Sequence, residues 1–143
     1  MRLVLDTSVL VTAIRSSAGA TAEAIRLALA RKFTLLLDLS LALEYRDVLL
    51  RPEQLKASLW SRKETLFFLE QLEALAEPTE ALFTYRPLSI DPDDDMILEL
   101  AINGRADAIV TNNLKHFRGP AAKFGIEVIT PRECLSRLAR KGV

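Results

Sequence analysis

Arg2-Leu3-Val4-Leu5-Asp6-Thr7-Ser8, residues 2–8, is the stretch on which the reading of the fold turns. Three consecutive apolar residues precede an acid, and an amphipathic run through Val9, Leu10 and Ile14 follows directly. A buried strand that ends on aspartate and passes straight into a helix belongs to an α/β fold. In open α/β sheets ligands bind outside the carboxyl ends of the strands, which is where Asp6 falls. Two readings of that acid stand side by side. Asp6, Thr7 or Ser8 caps the next helix by accepting its free N–H groups, or the carboxylate takes part in chemistry.

Working outward, the pattern predicts helices over Val9–Arg15 and Thr21–Arg31, the latter with Ala24, Ile25, Ala28 and Leu29 on one side. Phe33–Leu37 reads as a second buried strand. Ser40 is placed to cap a helix that runs to about Leu50 and that Pro52 ends. Residues Ser61–Glu77 form the longest helix, with Leu66, Leu69, Leu72 and Leu75 inward. Thr79–Phe83 is a weak strand candidate. Asp91-Pro92 opens a helix to Asn103, with Asp94 as the partner of a capping box and Gly104 as its stop. Ala108–Thr111 and Ile126–Ile129 are the last strands, and Thr130-Pro131-Arg132-Glu133 is a capping box that starts the final helix. Strands and helices alternate, so the expected fold is a three-layer α/β/α sandwich around a mostly parallel sheet, a single domain over residues 1–143.

The composition narrows the function. Half of the 143 residues are apolar, which suits a globular core and excludes disorder. No apolar run approaches the roughly 18 residues of a membrane span, and the acid at position 6 interrupts any secretory leader. One cysteine, Cys134, permits no internal disulfide. These features point to a cytoplasmic protein without a membrane partner. Nineteen basic and nineteen acidic side chains cancel, so no overall field steers the chain toward a polyanion. A local patch or a bound cation has to supply that attraction. The basic C-terminal segment (Arg132, Arg137, Arg140, Lys141) reads as a solvated helix face.

Three further places carry polar groups that packing does not demand. Glu44 sits between Leu41 and Val48 on helical spacing, with no lysine or arginine three or four residues away. Either Glu44 sits at the edge of the stripe and reaches water, or its carboxylate turns inward and needs a positive partner supplied from outside the helix. In Asp91-Pro92-Asp93-Asp94-Asp95 the capping role accounts for the first acids, whereas Asp95 shares a face with Leu98 and Ile102. Thr111-Asn112-Asn113 follows a strand and falls at the same sheet edge as Asp6, although an ordinary asparagine turn would look the same. His116 is read as a turn or surface residue without a role. Asp6, Glu44 and Asp95 together offer hard oxygen ligands of the kind that suit Mg2+ or Mn2+. Acids holding one or two such ions, which activate water and clamp a phosphate, are a general solution for nuclease chemistry.

DTSVL after the first strand, LALEYRDVLLRPE, DPDDDMILELAI and ADAIVTNNLKHF together resemble PIN domains, in their order and spacing, over nearly the whole chain. More narrowly they are similar to the prokaryotic PIN proteins of type II toxin–antitoxin pairs (VapC-like). The resemblance implies a parallel sheet sandwiched by helices and metal-dependent cleavage of RNA. Carried over by position, the catalytic acids are Asp6, Glu44 and Asp95, the metal ligands are these with Asn113, and Ser8, Thr111 and Asn112 support them. Asn113 stands where many members have a fourth acid, which removes one negative charge from the site. The resemblance further implies a 5′-phosphate and a 3′-hydroxyl as products and an antitoxin protein as partner; a homodimer is expected from the chain's own apolar surface. The segment Leu55–Leu75, with Trp60, Phe67 and Phe68, is a candidate dimer surface or simply core. Arg15, Lys115 and Arg118 lie beside the motifs as candidates for the RNA backbone. The alternative is a PIN-like module that binds RNA or protein without cleaving. An aspartyl-nucleophile phosphotransferase is disfavoured, since Ser8 occupies the place of its second aspartate. A receiver domain is disfavoured too, because Asp6 stands alone and Lys115 is displaced.

Overall fold

The computed structural model describes residues 1–80 and 91–143, apart from the side chain of Pro92. Five short strands form one parallel sheet in the order β3-β2-β1-β4-β5: β1 (Arg2–Leu5), β2 (Thr34–Leu37), β3 (Glu77–Pro78), β4 (Ala108–Val110) and β5 (Glu127–Ile129). The helices among the described residues are α1 (Thr7–Ala13), α2 (Ala20–Leu29), α3 (Leu39–Leu49), α4 (Pro52–Ala57), α5 (Arg62–Leu75), α6 (Pro92–Asn103), α7 (Leu114–Ala122) and α8 (Pro131–Arg140).

The chain moves outward from β1 to β2 to β3, then returns past β1 to β4 and continues to β5. Right-handed crossovers therefore put α1–α5 on one face and α6 and α7 on the other. The packing agrees: α2 touches α1, α5 and α8, while α6 lies against α7 and the central strands. The expected α/β/α sandwich is the observed fold. Connections diverge between β1 and β4, so the crevice at their carboxyl ends is the topological switch point of the sheet.

Why these strands are central is plain from their burial. Leu3, Val4, Leu5, Leu36, Ile109 and Val110 are all inaccessible, as strands covered on both faces require. On α2 the inward face is Ala22, Ala24, Ile25 and Ala28, with Leu29 partly outside it. On α5 it is Thr65, Phe68, Leu69 and Leu72, while Leu66 and Leu75 are only half-buried. Ser61 and Glu64 form a reciprocal capping box at the start of α5.

Several expectations are corrected. The cap of α3 is Asp38, whose side chain accepts from the Leu41 N–H, and Ser40 is exposed inside the helix. Pro52 does more than end α3, because it is the first residue of α4, where its missing N–H costs nothing. The third strand is Glu77–Pro78, with the Thr79 N–H bonded to Leu37 O at 2.9 Å, and residues 81–83 of the expected strand lie outside the described residues. Helix α7 was not foreseen, and it contains both Gly119 and Pro120. Buried Phe117 and Ala121, four apart, anchor it despite Pro120.

Gly104 also has a different reason for being glycine. It caps α6 with ordinary right-handed backbone, and the left-handed residue is Arg105, at φ 52°. A Cβ on Gly104 would meet Leu36 Cδ1 at 2.8 Å and Leu100 O at 3.0 Å. Two substitutions one residue apart should therefore act oppositely. Gly104→Ala should cost about 1–3 kcal/mol by overpacking. Arg105→Gly should stabilise slightly, by about 0.5 kcal/mol, by removing strain at the left-handed position. Urea unfolding of both variants checks this.

Candidate functional site

Asp6 follows the last residue of β1, and its N–H bonds to Val110 O at 2.9 Å, extending the β1–β4 ladder by one step. It occupies the cap position of α1, yet its side chain makes no capping hydrogen bond. Its Oδ2 instead accepts from Ser8 Oγ and from Thr111 Oγ1, both at 2.7 Å. The capping reading of Asp6 is thereby excluded. One hydroxyl comes from each side of the switch point, so the carboxylate is fixed over the crevice. Hydroxyl-to-carboxylate bonds of this length are charge-assisted and hold the side chain in one orientation.

Thr111 is fully buried, with its N–H on Ile129 O and its hydroxyl oxygen accepting from the Asn113 N–H at 2.9 Å. Asn112 ties this loop to α1, since its Nδ2 donates to Ser8 O and to Thr12 Oγ1, both at 3.2 Å. Asn113 is exposed and starts α7 without a side-chain cap. The asparagine-rich turn thus has divided work: Asn112 straps the loop down and leaves Asn113 at the rim.

Glu44 projects from the middle of α3 and is half-buried. The Thr7 hydroxyl donates to its Oε2 at 2.6 Å. Burial pushes the Glu44 carboxyl above the ordinary carboxylate range, and the charges of Asp93 and Asp6 push it further. Thr7 and, more weakly, Arg51 oppose the rise. The next residue, buried Tyr45, donates its hydroxyl to Leu5 O, which pins α3 to the carboxyl end of β1. Burial raises that phenol well above its usual value, so it stays a neutral donor.

On α6, Asp91 caps by accepting from the Asp93 N–H at 2.9 Å. Asp94 is not the expected box partner, because its carboxylate turns to His116 Nδ1 on α7 at 3.3 Å. His116 is thus no bystander. Burial raises the Asp94 carboxyl, with further contributions from Asp91 and Asp6 against the lowering effect of His116. Asp95 is 4 % exposed, as its apolar companions Leu98 and Ile102 suggested. One turn further, Glu99 is also buried, and its charge adds to the burial that raises Asp38 at the carboxyl end of β2.

The charge of Asp6 thus bears on both Glu44 and Asp94, and that of Asp93 on Glu44. Among the described residues, no three histidine, cysteine, aspartate or glutamate side chains stand close enough together to hold a metal ion as they are placed. The donor set is nonetheless of one chemical type, carboxylate oxygen with an amide at the rim. Two of its acids, Glu44 and Asp94, are raised by burial and further by their neighbours' negative charge. That is the chemistry of a hard divalent cation rather than of zinc or copper.

Thr7, Tyr45, Asp93, Asp94 and His116 were not picked out from sequence. Asp93 and Asp94 were noted only within the acidic cluster that opens α6, Asp94 as the partner of a capping box.

A model of the PIN domain family matches residues 2–115, well over half of the chain. The match ends early in α7, so β5 and α8 lie beyond it. No curated protein matches the chain.

The raised Glu44 carboxyl has a consequence for stability. Its pKa is higher folded than unfolded, so the unfolded chain loses the proton first as pH rises. Stability then falls from the ordinary carboxylate range up through the raised value, and the charged side chain remains a burden at neutral pH. Glu44→Gln should therefore raise Tm at pH 7 in EDTA by a few degrees. The difference should vanish near pH 4, where both proteins carry a neutral group. Thermal melts at the two pH values test the sign.

Proposed function

This chain belongs to the PIN domain family, whose members are generally metal-dependent nucleases, and from that premise we propose an endoribonuclease that uses Mg2+ or Mn2+. The observation that carries the proposal is the Asp6 carboxylate, held by Ser8 and Thr111 across the switch point instead of capping α1.

Asp6, Glu44, Asp95 and Asn113 are the residues that would hold the metal. When bound, the ion offsets the crowded carboxylates, lowers the pKa of a water and stabilises the charge that develops on the phosphate oxygens. The chain's own residues set the stage. Ser8 and Thr111 both donate to Oδ2 of Asp6, which leaves its other oxygen open to the crevice. Thr7 orients Glu44 in the same way through one oxygen. The Asn113 amide contributes a neutral oxygen at the rim, so the site carries one negative charge fewer than with a fourth acid. Hydrolysis in this arrangement breaks the bond to the 3′ oxygen and leaves a 5′-phosphate and a 3′-hydroxyl.

The proposal extends to a cytoplasmic toxin of a toxin–antitoxin pair, with a cognate antitoxin and a second copy of the chain as partners. Phe68 belongs to the core, with Trp60 edge-on to it at 4.9 Å between ring centroids, whereas Phe67 is 62 % exposed. That exposed ring and the exposed Leu29, which lines the same pocket, supply apolar surface for a protein partner to cover. Among the described residues, no helix is long and apolar enough to cross a membrane.

The test is incubation of purified protein with a pool of structured and single-stranded RNA in Mg2+, Mn2+ or EDTA. Cleavage should require the metal, and Asp6→Asn and Glu44→Gln should each lower the rate on the order of a hundredfold or more. A folded wild type that binds the pool but cleaves nothing in either metal would replace this reading with an RNA-binding module. The neutral Asn113 favours that second reading, and recovery of cleavage in Asn113→Asp would establish why.

A further inference from the structure

The parallel sheet sorts charge along its strands. All strands run the same way, so residues just before a strand share one edge and residues just after it share the other. The carboxyl edge carries Asp6 after β1 and Asp38 after β2. The amino edge is the reverse. Arg31 and Lys32 precede β2, Arg105 precedes β4 and Lys123 precedes β5. Helix α8 returns to the same edge, because its Arg137 pairs with Glu127, the first residue of β5. Arg140 and Lys141, at and just past the end of α8, follow from there. All of these unpaired cations are exposed, and among the described residues none of them joins an ion pair. The acids of this edge are already engaged. Glu77 pairs with Arg2, Asp107 accepts from the Arg2 N–H at 2.7 Å, and Glu127 holds Arg137.

Two of the cations occupy conformationally costly positions. Among the described residues, the non-glycine positions with positive φ are Arg31, at 57°, and Arg105, at 52°. Each follows a helix that ends in the same way. The Lys32 N–H bonds back to Leu27 O at 2.9 Å, and the Ala106 N–H bonds back to Ala101 O at 2.9 Å. Glycine is the residue such a helix end favours, since it lacks the Cβ that crowds the left-handed region. A cation anywhere in the last turn complements the helix dipole. That role does not call for arginine at the one position where glycine fits best. Both departures from glycine put a guanidinium on the same edge.

We propose that the amino edge of the sheet is a second RNA contact, an anchor that holds the phosphate backbone of a folded RNA away from the crevice. Two observations favour RNA over other polyanions. The cations come from four separate segments of the chain, so they form a surface and not the single amphipathic helix that lies in a membrane interface. The acidic crevice repels phosphate until a cation fills it, and the edge supplies the attraction that a neutral chain otherwise lacks. The four residues of β1 separate the two edges by about 13 Å. Only an RNA long enough to pass around the molecule touches both. This inference rests on the RNA-cleaving reading above and adds a second site to it.

Anisotropy of a fluorescein-labelled hairpin RNA in EDTA, across a salt series, isolates the edge, because the crevice acids are then uncompensated. Arg31→Gly with Arg105→Gly should weaken binding about tenfold and lower the slope of log affinity against log salt by about 1.5. Arg31→Lys with Arg105→Lys keeps the charge and should bind within about twofold of wild type. The glycine pair should melt no lower than wild type, since it relieves two left-handed residues. Should it fail to fold, Arg140→Gln with Lys141→Gln tests the same edge and should weaken binding likewise. In Mg2+ the glycine pair should raise KM for the hairpin and leave cleavage of a short single strand unchanged. Glycine and glutamine pairs that both bind the hairpin as wild type does overturn the anchor, and metal-dependent cleavage then leaves the nuclease reading standing. Edge-dependent binding with no cleavage in either metal overturns the nuclease reading alone. Wild type that does not bind the hairpin overturns the anchor, and its co-sedimentation with phosphatidylglycerol vesicles would assign the edge to a lipid surface instead.

Discussion

A single carboxylate fastened from two sides organises the described structure. Asp6 stands where the sheet's connections diverge, and one oxygen receives hydroxyls from Ser8 on the helix that leaves β1 and from Thr111 at the end of β4. Hydrogen bonds to an ionised group contribute more than neutral ones, about 1.5–3 kcal/mol each, and losing one leaves a charge short of its partners. The two bonds therefore couple the register of β1 and β4 to the position of a charge. Everything nearby is arranged to keep them. Asn112 ties the β4 loop to Ser8 O and Thr12, the Asn113 N–H satisfies the second function of the Thr111 hydroxyl, and Tyr45 locks α3 against Leu5 O. Three successive residues divide the labour: Asp6 faces the crevice, Thr7 serves Glu44 on α3, and Ser8 turns back to Asp6.

The cost of this arrangement is electrostatic. Glu44 and Asp94 are both raised by burial and then by other carboxylates, and Asp6 appears among the causes for each. At the end of β2, Asp38 is likewise raised, mainly by burial and least by the charge of Glu99. A fold selected for stability alone would not gather like charges in a half-buried crevice, because each disfavours the ionisation of the others. Local strain of this kind is retained where something outside the apo chain relieves it. The supporting shell is satisfied at the same time: among the described residues, no buried side-chain polar atom lacks a hydrogen-bond partner. Repulsion is confined to the charged centre.

The sheet was legible because its information is local. A run such as Leu3-Val4-Leu5 or Ala108-Ile109-Val110 announces a buried strand whatever surrounds it, and alternation with helices then dictates parallel pairing. Asp6 was legible by position, and Asp95 by its apolar companions. What stayed hidden were relations between distant residues. Thr7 and Glu44 are 37 residues apart, and Thr111 and Asp6 are 105 apart, so no periodicity connects them. Asp94 looked like a helix-start acid because acids belong there. Its partner His116 lies on α7, a helix with Gly119 and Pro120 inside it for which no periodicity was read. Pro52 shows the same ambiguity in reverse: a proline stops one helix and starts the next with the same fixed φ, and only the tether to Ile14 decides that a helix follows.

Net neutrality is the remaining constraint on function, and the charge pattern resolves it. The acids gather near the switch point, while Arg51 pairs with Asp47 and Arg15 with Gln54 beside α4. Beyond a screening length of about 8 Å in physiological salt, a polyanion senses local charge rather than the sum over the molecule. It would meet those cations and, at the centre, repulsion, and neutralising the centre removes the repulsion without weakening the attraction. On the proposed reading, attraction and metal occupancy would be coupled. A neutral Asn113 in the fourth position acts in the same direction, since it lowers the central charge that a cation has to offset.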